Sequence, residues 1–427
     1  MGRIRVGRFI GVLTGTVVIL GVGLYGPATL LGPLPSASVT FLAPPSVSAA
    51  TSRPVLPTSG ASAIIALSPT EPDAATTTVS TWADPLATAG VTTALPMASA
   101  AKLITALVTL DAHPLAPGET GTSFAATPAD FQDYLDYAAA GARTVSVYPG
   151  EEWTEREVLQ AVVLASSNNH ADVLARWAFG SLEKYRAAAA DWLTAHGLDH
   201  TVVVDATGLD EASAGTALDL ARLAGIAASQ PTIAEILHNP ESTLADRNGV
   251  DNTTATLGID GVSTLSRSYT DASGVCLLFT ATVGSNESSF TMAGAFLGEP
   301  DYDTLASDLA ALMTSAQAGV GVQPVLTAGD AYARFETPWG DAASAVVRTT
   351  KTRLGWQASG KVEASATLDT VTTGRAGQRV GRVELTGVTG AQVSAPLVLD
   401  ETLSDPGPGW RLLNPITMIS ALIQSQR

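Results

Sequence analysis

The sequence predicts an α+β domain followed by a smaller, sandwich-like all-β domain. Over about 74–321, helical patterns are mixed with apolar strand-like runs, of which the clearest is GVCLLFTATVG at Gly274–Gly284. After residue 321 the composition changes to valine, threonine and glycine, in short alternating runs separated by Gly-containing turns. We therefore predict an α+β domain over 74–321, a β domain over 322–413 and a short tail, itself a helix candidate, over 414–427.

Three helices are predicted in the middle of the larger domain. Thr154 precedes EREVLQAVVLA and is typical of a helix N-cap, and Thr216 occupies the same place before ALDLARLAGIAAS. Between them, one helical pattern runs over 171–197 and ends at Gly197, as many helices do at a glycine. The apolar strand is expected to pair with a preceding strand around 258–264.

The N-terminus has the pattern of an export and anchoring segment. Residues 1–8 contain three arginines and form a cytoplasmic stub, while 9–31 carries no charged residue and is long enough to span a bilayer. We expect a transmembrane anchor or uncleaved signal there, and a single-pass protein of the cell membrane whose remaining chain is extracytoplasmic. Cleavage at the small residues 47–49 stays open. The segment 32–73, rich in Pro, Ser, Ala and Thr, is predicted to be a flexible linker.

Charge and composition exclude several classes of function. The formal net charge is −17, and no basic stripe occurs beyond the extreme N-terminus, so nucleic acid is not an expected partner. A single cysteine, Cys276, cannot form an intrachain disulfide, and the five histidines lack the spacing of zinc ligands. We expect no metal and no cofactor.

Ser99 and Lys102 form the most informative local pattern. Residues three apart on a helix are neighbours, which places the serine hydroxyl beside the lysine amine. A serine hydroxyl becomes a good nucleophile when a base removes its proton, and a lysine withdrawn from water is neutral often enough to act as that base. The helix that follows is apolar, as expected of a buried central helix, through Leu103, Ile104, Leu107, Val108 and Leu110. The pair is a candidate for covalent acyl transfer.

Three segments resemble the serine D-alanyl-D-alanine carboxypeptidases, the low-molecular-weight penicillin-binding proteins. PMASAAKLITALV carries Ser99 and Lys102 as the family's S-x-x-K motif. VYPGEEWTEREVLQAVVLASSNNHADVLA is similar to the stretch that carries the family's S-x-N, here Ser166-Ser167-Asn168. DATGLDEASAGTALDLARLA is similar to the segment downstream. Together the resemblance covers about 76–316.

This resemblance implies a β-lactamase/transpeptidase-like fold, an antiparallel sheet flanked by helices, and an enzyme. Ser99 would attack the terminal D-Ala-D-Ala bond of a peptidoglycan stem peptide, Lys102 would accept its proton, and Ser166 would pass that proton to the departing D-alanine. Asn168 would bind the substrate backbone or hold Lys102. β-Lactams would acylate Ser99 by imitating the same dipeptide. From residue type alone, Ser166 and Asn168 are more typical of helix caps.

The chain departs from the family at its third motif, a Lys-Thr-Gly on a strand that lines the site. Alignment on Asp260-Gly261 places Ser263-Thr264-Leu265 at the motif, which keeps a hydroxyl but loses the cation. Alignment on the stretch 269–272 instead brings Ser266, Arg267 and Ser268 into range, which keeps a cation and a hydroxyl. We prefer the second alignment, and the sequence leaves both open.

Thr264, Arg267 and Ser268 are therefore the candidate substrate-binding residues of this strand. In the family the strand's cation would hold the substrate's terminal carboxylate, and its backbone N–H would complete an oxyanion hole with the N–H of Ser99. An arginine can bind a carboxylate through two parallel hydrogen bonds, in a geometry that differs from that of lysine. A residue larger than glycine can block approach to the strand.

Three functional hypotheses follow. The first is a D-Ala-D-Ala carboxypeptidase. The second is a catalytically impaired family member that binds cell-wall peptides or acts as a scaffold, because its third motif is altered. The third is a β-lactamase, which would need a glutamate to activate the deacylating water. The only Glu-x-x-x-Asn pattern between the second and third motifs is Glu235 with Asn239. It lies later in the chain than the glutamate of a β-lactamase would.

Overall fold

A computed structural model describes residues 13, 15–16, 19, 21–43, 54–67, 85–253, 257–285, 288–356, 363–386 and 393–425. The chain divides into two compact units. The larger consists of Ala49–Gly321 with Leu354–Ser359, and the smaller combines Met1–Ser48 with Val322–Arg353 and Gly360–Arg427.

The described residues contain short and long strands throughout the chain. They are β1 (Ser38–Phe41), β2 (Ala61–Leu67), β3 (Ala87–Gly90), β4 (Leu95–Pro96), β5 (Ser123–Ala125), β6 (Glu152–Thr154), β7 (Thr201–Val202), β8 (Ala214–Gly215), β9 (Thr243–Leu244), β10 (Arg247–Asn248), β11 (Val262–Thr270), β12 (Gly274–Ser285), β13 (Ser288–Glu299), β14 (Val320–Leu326), β15 (Ala331–Glu336), β16 (Ala342–Val347), β17 (Lys351–Trp356), β18 (Glu363–Leu368), β19 (Arg379–Thr386) and β20 (Val393–Leu399).

The α-helices lie mainly in the first two thirds of the chain. They are α1 (Gly26–Leu30), α2 (Ala101–Ala112), α3 (Pro128–Ala139), α4 (Glu155–Val163), α5 (Asn168–Phe179), α6 (Leu182–Ala195), α7 (Ala217–Ser229), α8 (Pro231–His238), α9 (Tyr302–Gly319), α10 (Gly407–Leu413) and α11 (Pro415–Gln424). A π-helical turn, Gly21–Tyr25, precedes α1, and a 3-10 turn, Ala98–Ala100, precedes α2.

A five-stranded antiparallel sheet organises the larger unit. Its order is β11-β12-β13-β2-β3, so β11 is an edge strand. One face packs on α9 through residues such as Phe279 and Leu309, and the opposite face packs on α7 through residues such as Leu278 and Ala293. Covering both faces removes the apolar side chains of the strands from water. The predicted α+β fold, an antiparallel sheet flanked by helices, is confirmed.

Helix α2 is the centre of the helical layer. Every residue from Ala101 to Leu110 is buried, and the helix contacts α4, α5, α6 and α7. A helix that is apolar all round is stable only where other elements cover all of its faces. The apolar run after Lys102 therefore predicted the position of this helix correctly.

Local helix signals in the sequence are confirmed, with one exception. Thr154 and Thr216 cap α4 and α7, and Thr154 forms a reciprocal capping box with Glu157. The continuous helix predicted over 171–197 is wrong, because the chain breaks between α5 and α6. Gly180 adopts a left-handed conformation, with φ of +79°, and Ser181 caps the next helix.

Two predicted features near the sheet need correction. The strand expected around 258–264 begins later, at Val262, and extends to Thr270, with a bulge between Thr264 and Ser266. The predicted linker 32–73 is wrong over 38–41 and 61–67, since the first stretch is β1 and the second is β2, between β13 and β3. Sheet pairing with residues far along the chain fixes both segments.

The smaller unit is built on a six-stranded antiparallel sheet in the order β1-β15-β16-β20-β19-β18. β14 and β17 pair separately, so the described strands form one large sheet and one two-stranded pair rather than two matched sheets. The C-terminal helices contact the N-terminal segment of the same unit. The Tyr25 hydroxyl donates to the Leu412 carbonyl over 2.5 Å, and Arg411 donates to the Gly32 carbonyl over 3.0 Å.

Much of the predicted anchor over 9–31 lies outside the described residues, which there comprise 13, 15–16, 19 and 21–31. Within the described part of the chain, no helix combines the length and the apolar character needed to cross a membrane.

Candidate active site

Ser99 and Lys102 meet at the start of the buried central helix. Ser99 lies in the 3-10 turn, and Lys102 lies in the first turn of α2. The Lys102 amine is 3.0 Å from Ser99 Oγ, and only 3 % of the lysine is exposed. The structure therefore brings the predicted nucleophile and base into hydrogen-bond contact.

A loop in the stretch DATGLDEAS, which begins at Asp205, lies beside the Lys102 amine. Lys102 Nζ donates to the Thr207 carbonyl over 2.8 Å. Asp205 fixes this loop by accepting hydrogen bonds from the Thr207 hydroxyl and from Ser213 Oγ. Gly208, with φ of +76°, allows the close approach, because a Cβ there would lie 1.8 Å from the Ala98 carbonyl oxygen.

Sequence reasoning assigned no role to Thr207 or Asp205, although both belong to the quoted stretch DATGLDEAS. That stretch was a usable signal, because Asp and Thr two residues apart beside a glycine are typical of a locally hydrogen-bonded turn.

Burial sets the protonation of the amine. The pKa of Lys102 is lowered from its usual 10.5 to about 7, chiefly by loss of solvent and to a smaller extent by the nearby charge of Arg143. The charges of Asp205 and Asp172 act in the opposite direction. At neutral pH a large share of Lys102 is thus uncharged and able to accept a proton.

Ser166 lies in the short connection between α4 and α5 and lines the same cleft as Ser99 and Lys102. Its backbone is left-handed, with φ of +53°, an unfavourable conformation for a serine that tends to occur at functional sites. Its Oγ is buried and has no hydrogen-bond partner among the described residues. A free hydroxyl held in this way can take part in proton transfer.

Buried polar groups behind Ser166 hold this connection in place. Ser167 caps α5 and donates from Oγ to Asn169 Oδ1 over 2.8 Å, while the Asn169 amide donates to the Val145 carbonyl. Burial lowers the pKa of His170 to about 3, so its ring stays neutral. The ring packs 4.5 Å from that of Trp153. The capping residue is Ser167, whereas the sequence offered Ser166 and Asn168 for that role.

Asn168 is the first residue of α5. Its amide nitrogen donates to the Arg143 carbonyl over 3.0 Å, and its Oδ1 is buried without a partner among the described residues. Among the described residues, Lys102 donates to the Thr207 carbonyl and forms no direct hydrogen bond with Asn168. An unpaired amide oxygen of this kind can accept a hydrogen bond from a bound ligand.

Edge strand β11 forms the other wall of the cleft. Leu265, Ser266 and Arg267 line it, and Ser268 Oγ accepts a hydrogen bond from the backbone N–H of Ser99 over 3.2 Å. Thr264 is buried but does not line the cleft, so the structure does not bring it to Ser99. This geometry supports the alignment that places 266–268 at the third motif.

Two arginines lie at this wall. The Arg267 guanidinium is 5.6 Å above the Tyr302 ring, and its Nη2 is 3.4 Å from the Thr253 carbonyl. Arg143 Nη1 donates to the Arg267 carbonyl over 3.3 Å. Sequence reasoning missed Arg143, because its proximity to β11 depends on a contact across 124 residues.

Glu235, the glutamate that a β-lactamase would require, lies elsewhere. Its carboxylate accepts from Arg156 Nη1 and from the Gly118 N–H, each over 2.8 Å, and it does not line the cleft. The pattern that suggested a deacylating glutamate is therefore structural.

Comparison with known proteins identifies the domain that contains this cleft. Residues 85–294 match the profile of the D-alanyl-D-alanine carboxypeptidase family, and every residue of the site lies within that range. This segment, just under half of the chain, is therefore similar to that family. The resemblance of its S-x-x-K and S-x-N motifs is thus confirmed at the level of the family.

Two curated proteins are similar to parts of this chain. The chain is 31% identical over 160 residues to the D-alanyl-D-alanine carboxypeptidase DacB2 of Mycobacterium tuberculosis, which covers 36% of this chain and 50% of that protein. It is 26% identical over 216 residues to a D-alanyl-D-alanine endopeptidase of Pseudomonas aeruginosa, covering 47% of this chain and 64% of that protein. The chain thus matches about half to two thirds of the length of these relatives.

A solved structure of similar fold extends over both units. Penicillin binding protein 6B from Escherichia coli aligns with a TM-score of 0.55 and 18% identity, covering 85% of this chain and 99% of that one. At this identity the comparison supports the fold alone.

Within this family's domain, the cleft can activate a serine for attack on a carbonyl carbon. It measures about 250 Å³ including its opening to solvent and contains a nucleophile, a buried amine and a second hydroxyl. These groups supply the nucleophile and proton carriers of covalent catalysis.

The pKa of Lys102 predicts the pH dependence of Ser99 acylation. Only the neutral amine accepts the serine proton, so the rate should rise with pH through about 7 and level off above it. Between pH 6 and 8 the rate should increase about tenfold, as the neutral fraction does. The measurement is the burst of p-nitrophenol released from p-nitrophenyl acetate across this range.

Lys102→Arg is the matched test of this assignment, because a guanidinium stays charged at these pH values. It should lower the burst rate about a hundredfold. Lys184→Arg, at an exposed position on α6, should keep the wild-type profile. A wild-type rate that is flat or falls as pH increases would contradict the role of Lys102 as base.

Proposed function

We propose that the domain is a serine-type D-Ala-D-Ala carboxypeptidase that removes the terminal D-alanine of peptidoglycan stem peptides through a Ser99 acyl-enzyme. The observation that carries the proposal is the buried Lys102 amine, 3.0 Å from Ser99 Oγ, in a domain that matches the carboxypeptidase family. A serine activated by a neutral lysine can carry out the reaction for which its relatives are named, without a histidine as base.

In the acylation step, Ser99 Oγ attacks the carbonyl carbon of the penultimate D-alanine while its proton moves to Lys102 Nζ. The C–N bond to the terminal D-alanine then breaks. Ser166 relays the proton from Lys102 to the departing amine, a role supported by its unpaired Oγ in the cleft. The products of this step are free D-alanine and an ester on Ser99.

In the second step, water attacks the ester carbonyl and gives its proton to Lys102, which is neutral again after acylation. The C–O bond to Ser99 breaks, Lys102 returns the proton to the serine oxygen, and the shortened peptide leaves as a carboxylic acid that loses its own proton to solvent. β-Lactams enter the same first step as acylating inhibitors, because opening of their ring also leaves an ester on Ser99. No glutamate is needed as base.

The substrate's terminal carboxylate is bound by arginine rather than by the lysine usual in this family. Arg267 lines the cleft, and Arg143 donates to the backbone carbonyl of Arg267. A guanidinium can turn from its present neighbours and form paired hydrogen bonds with a carboxylate. Asn168 is buried nearby, and its Oδ1, which has no partner among the described residues, is available to accept a hydrogen bond from the peptide.

A second candidate function is a catalytically impaired family member that binds cell-wall peptides as a scaffold. The observation that favours it is Ser266-Arg267-Ser268 in place of Lys-Thr-Gly, with Ser268 already bonded to the Ser99 amide. Such a protein would bind stem peptides without releasing D-alanine.

Ser99→Ala separates these functions. Wild-type protein should be labelled covalently by a fluorescent penicillin and should release D-alanine from a peptide ending in D-Ala-D-Ala, and Ser99→Ala should do neither. Ser166→Ala should keep some labelling and lose D-alanine release by about a hundredfold or more, because a proton carrier is missing. Gel fluorescence and an assay for free D-alanine give the two readings.

Exposed Ser404→Ala, in the smaller unit, is the matched serine control and should behave as wild type. If the wild-type protein is labelled by penicillin but releases no D-alanine, the second candidate function, an impaired peptide-binding protein, is supported. The absence of both signals from folded wild-type protein would refute both acylation and the carboxypeptidase function.

Arg143→Ala and Arg267→Ala test carboxylate binding. Each should raise KM for the D-Ala-D-Ala peptide about tenfold, and the double variant about a hundredfold, because each removes a charge-assisted contact. Exposed Arg186→Ala on α6 should leave KM unchanged. The decisive control is binding of a peptide that ends in a carboxamide, which should be weak and insensitive to all three changes. Equal losses with both peptides would contradict carboxylate recognition.

We propose in addition that the protein is anchored in the cell membrane by a single pass, with the carboxypeptidase domain extracytoplasmic. The support is the basic stub followed by the uncharged run over 9–31. In expressing cells the full chain should remain in the membrane pellet after alkaline carbonate washing. Val17→Lys with Val18→Lys should release it, since each charge opposes insertion by about 3 kcal/mol. Wild-type protein in the carbonate supernatant would contradict the anchor.

A further inference from the structure

The backbone N–H of Ser99 is the donor nearest to any carbonyl that Ser99 attacks. It lies in the 3-10 turn before α2, and amides at a helix start have no partner within the helix. As the hydroxyl adds to a carbonyl carbon, negative charge develops on the carbonyl oxygen, and backbone N–H groups in fixed positions stabilise it. The N–H of the attacking residue is well placed to do so.

In this protein that donor is already used. Ser268 Oγ accepts the Ser99 N–H over 3.2 Å, and only 4 % of Ser268 is exposed. The contact joins residues 169 positions apart, so it is formed by the docking of β11 against the 3-10 turn and not by local chain geometry. Ser266, two residues earlier and also buried, lines the cleft from the same strand.

An oxygen that accepts this N–H occupies the place that a reacting carbonyl oxygen would take. The two oxygens cannot both approach the hydrogen closely, because each carries partial negative charge. A substrate must therefore displace the Ser268 hydroxyl before the Ser99 amide can stabilise its transition state, and the broken hydrogen bond opposes acylation.

We propose that Ser268 is an internal occupant of the oxyanion position and that its hydroxyl slows acylation of Ser99. The inference rests on the proposed acyl transfer at Ser99. It adds a residue that restrains this reaction and explains how a complete nucleophile and base can coexist with an altered third motif. Residues at 268 without a hydroxyl leave the Ser99 N–H free for the substrate.

The test compares acylation rates of the full-length protein and its variants by a fluorescent penicillin. Ser268→Ala should accelerate labelling about fivefold or more, the effect of one competing hydrogen bond. Ser268→Gly should be at least as fast, because it removes the Cβ as well. Ser263→Ala makes the same change at an exposed position on the same strand and should leave the rate unchanged.

Phenylboronic acid gives a second reading that needs no turnover. Ser99 Oγ adds to boron while the serine proton moves to Lys102, so one O–B bond forms and none to boron breaks. A boronate oxygen then takes the oxyanion position, and the affinity measured by calorimetry should tighten by the same factor in Ser268→Ala. Circular dichroism verifies that each variant is folded.

The outcomes separate this inference from the function on which it rests. Faster labelling of Ser268→Ala supports the inference, including the case in which wild type is not labelled at all. Equal labelling of wild type and Ser268→Ala overturns the inference alone. Slower labelling overturns it too, since Ser268 would then assist the substrate. If neither folded protein is labelled or binds the boronate, the proposed function fails and the inference with it.

Discussion

The site depends on one physical constraint, the removal of the Lys102 amine from water. An ammonium group loses strong hydration when it is buried, and this loss brings the pKa of Lys102 to about 7. The burial is possible because α2 is surrounded by other helices and because the loop at Thr207 supplies a carbonyl that replaces part of the lost hydration. Activation of Ser99 is thus a consequence of packing, since the base is made by its environment.

Two further features follow from the same arrangement. Ser166 is held in a left-handed conformation by the polar cluster around Ser167 and His170, which places an unpaired hydroxyl in the cleft. The Asp205 loop approaches the turn bearing Ser99 only because residue 208 is a glycine. Each feature carries a conformational or desolvation penalty, and the surrounding packing maintains it.

The wall of the cleft formed by strand β11 differs from the family's pattern in its residues. β11 is an edge strand that pairs only with β12 among the described strands, and Arg143 donates to its Arg267 carbonyl. Peptides often bind to such edges as an added strand. Here that wall carries Ser266, Arg267 and Ser268, with Arg143 beside it. Ser99 and Lys102 are therefore in contact as the S-x-x-K pattern predicts, whereas the strand opposite them carries Ser266-Arg267-Ser268 in place of Lys-Thr-Gly. Reactivity of the serine and access to it are governed by separate elements.

Much of the sheet and helix framework could be predicted from local patterns. The helix caps at Thr154 and Thr216 and the buried strand β12 depend on neighbouring residues, and these predictions were right. β2 was missed because seven residues flanked by Pro- and Ser-rich sequence gain their stability from strands far along the chain. The break at Gly180 was missed because the apolar pattern continues across it, while a single left-handed residue ends the helix.

By itself the sequence determined which chemistry is present: a serine and a lysine three residues apart on an apolar helix, and a Ser-x-Asn stretch after a capped helix. Such spacings are fixed by the helical repeat and need no tertiary information. Only the tertiary structure decided that the Lys102 amine is buried and donates to the Thr207 carbonyl. It also decided that Ser266 and Arg267 of β11 line the cleft and that Ser268 accepts a hydrogen bond from the Ser99 amide. These facts depend on contacts across 105 to 169 residues, and docking of whole elements sets them.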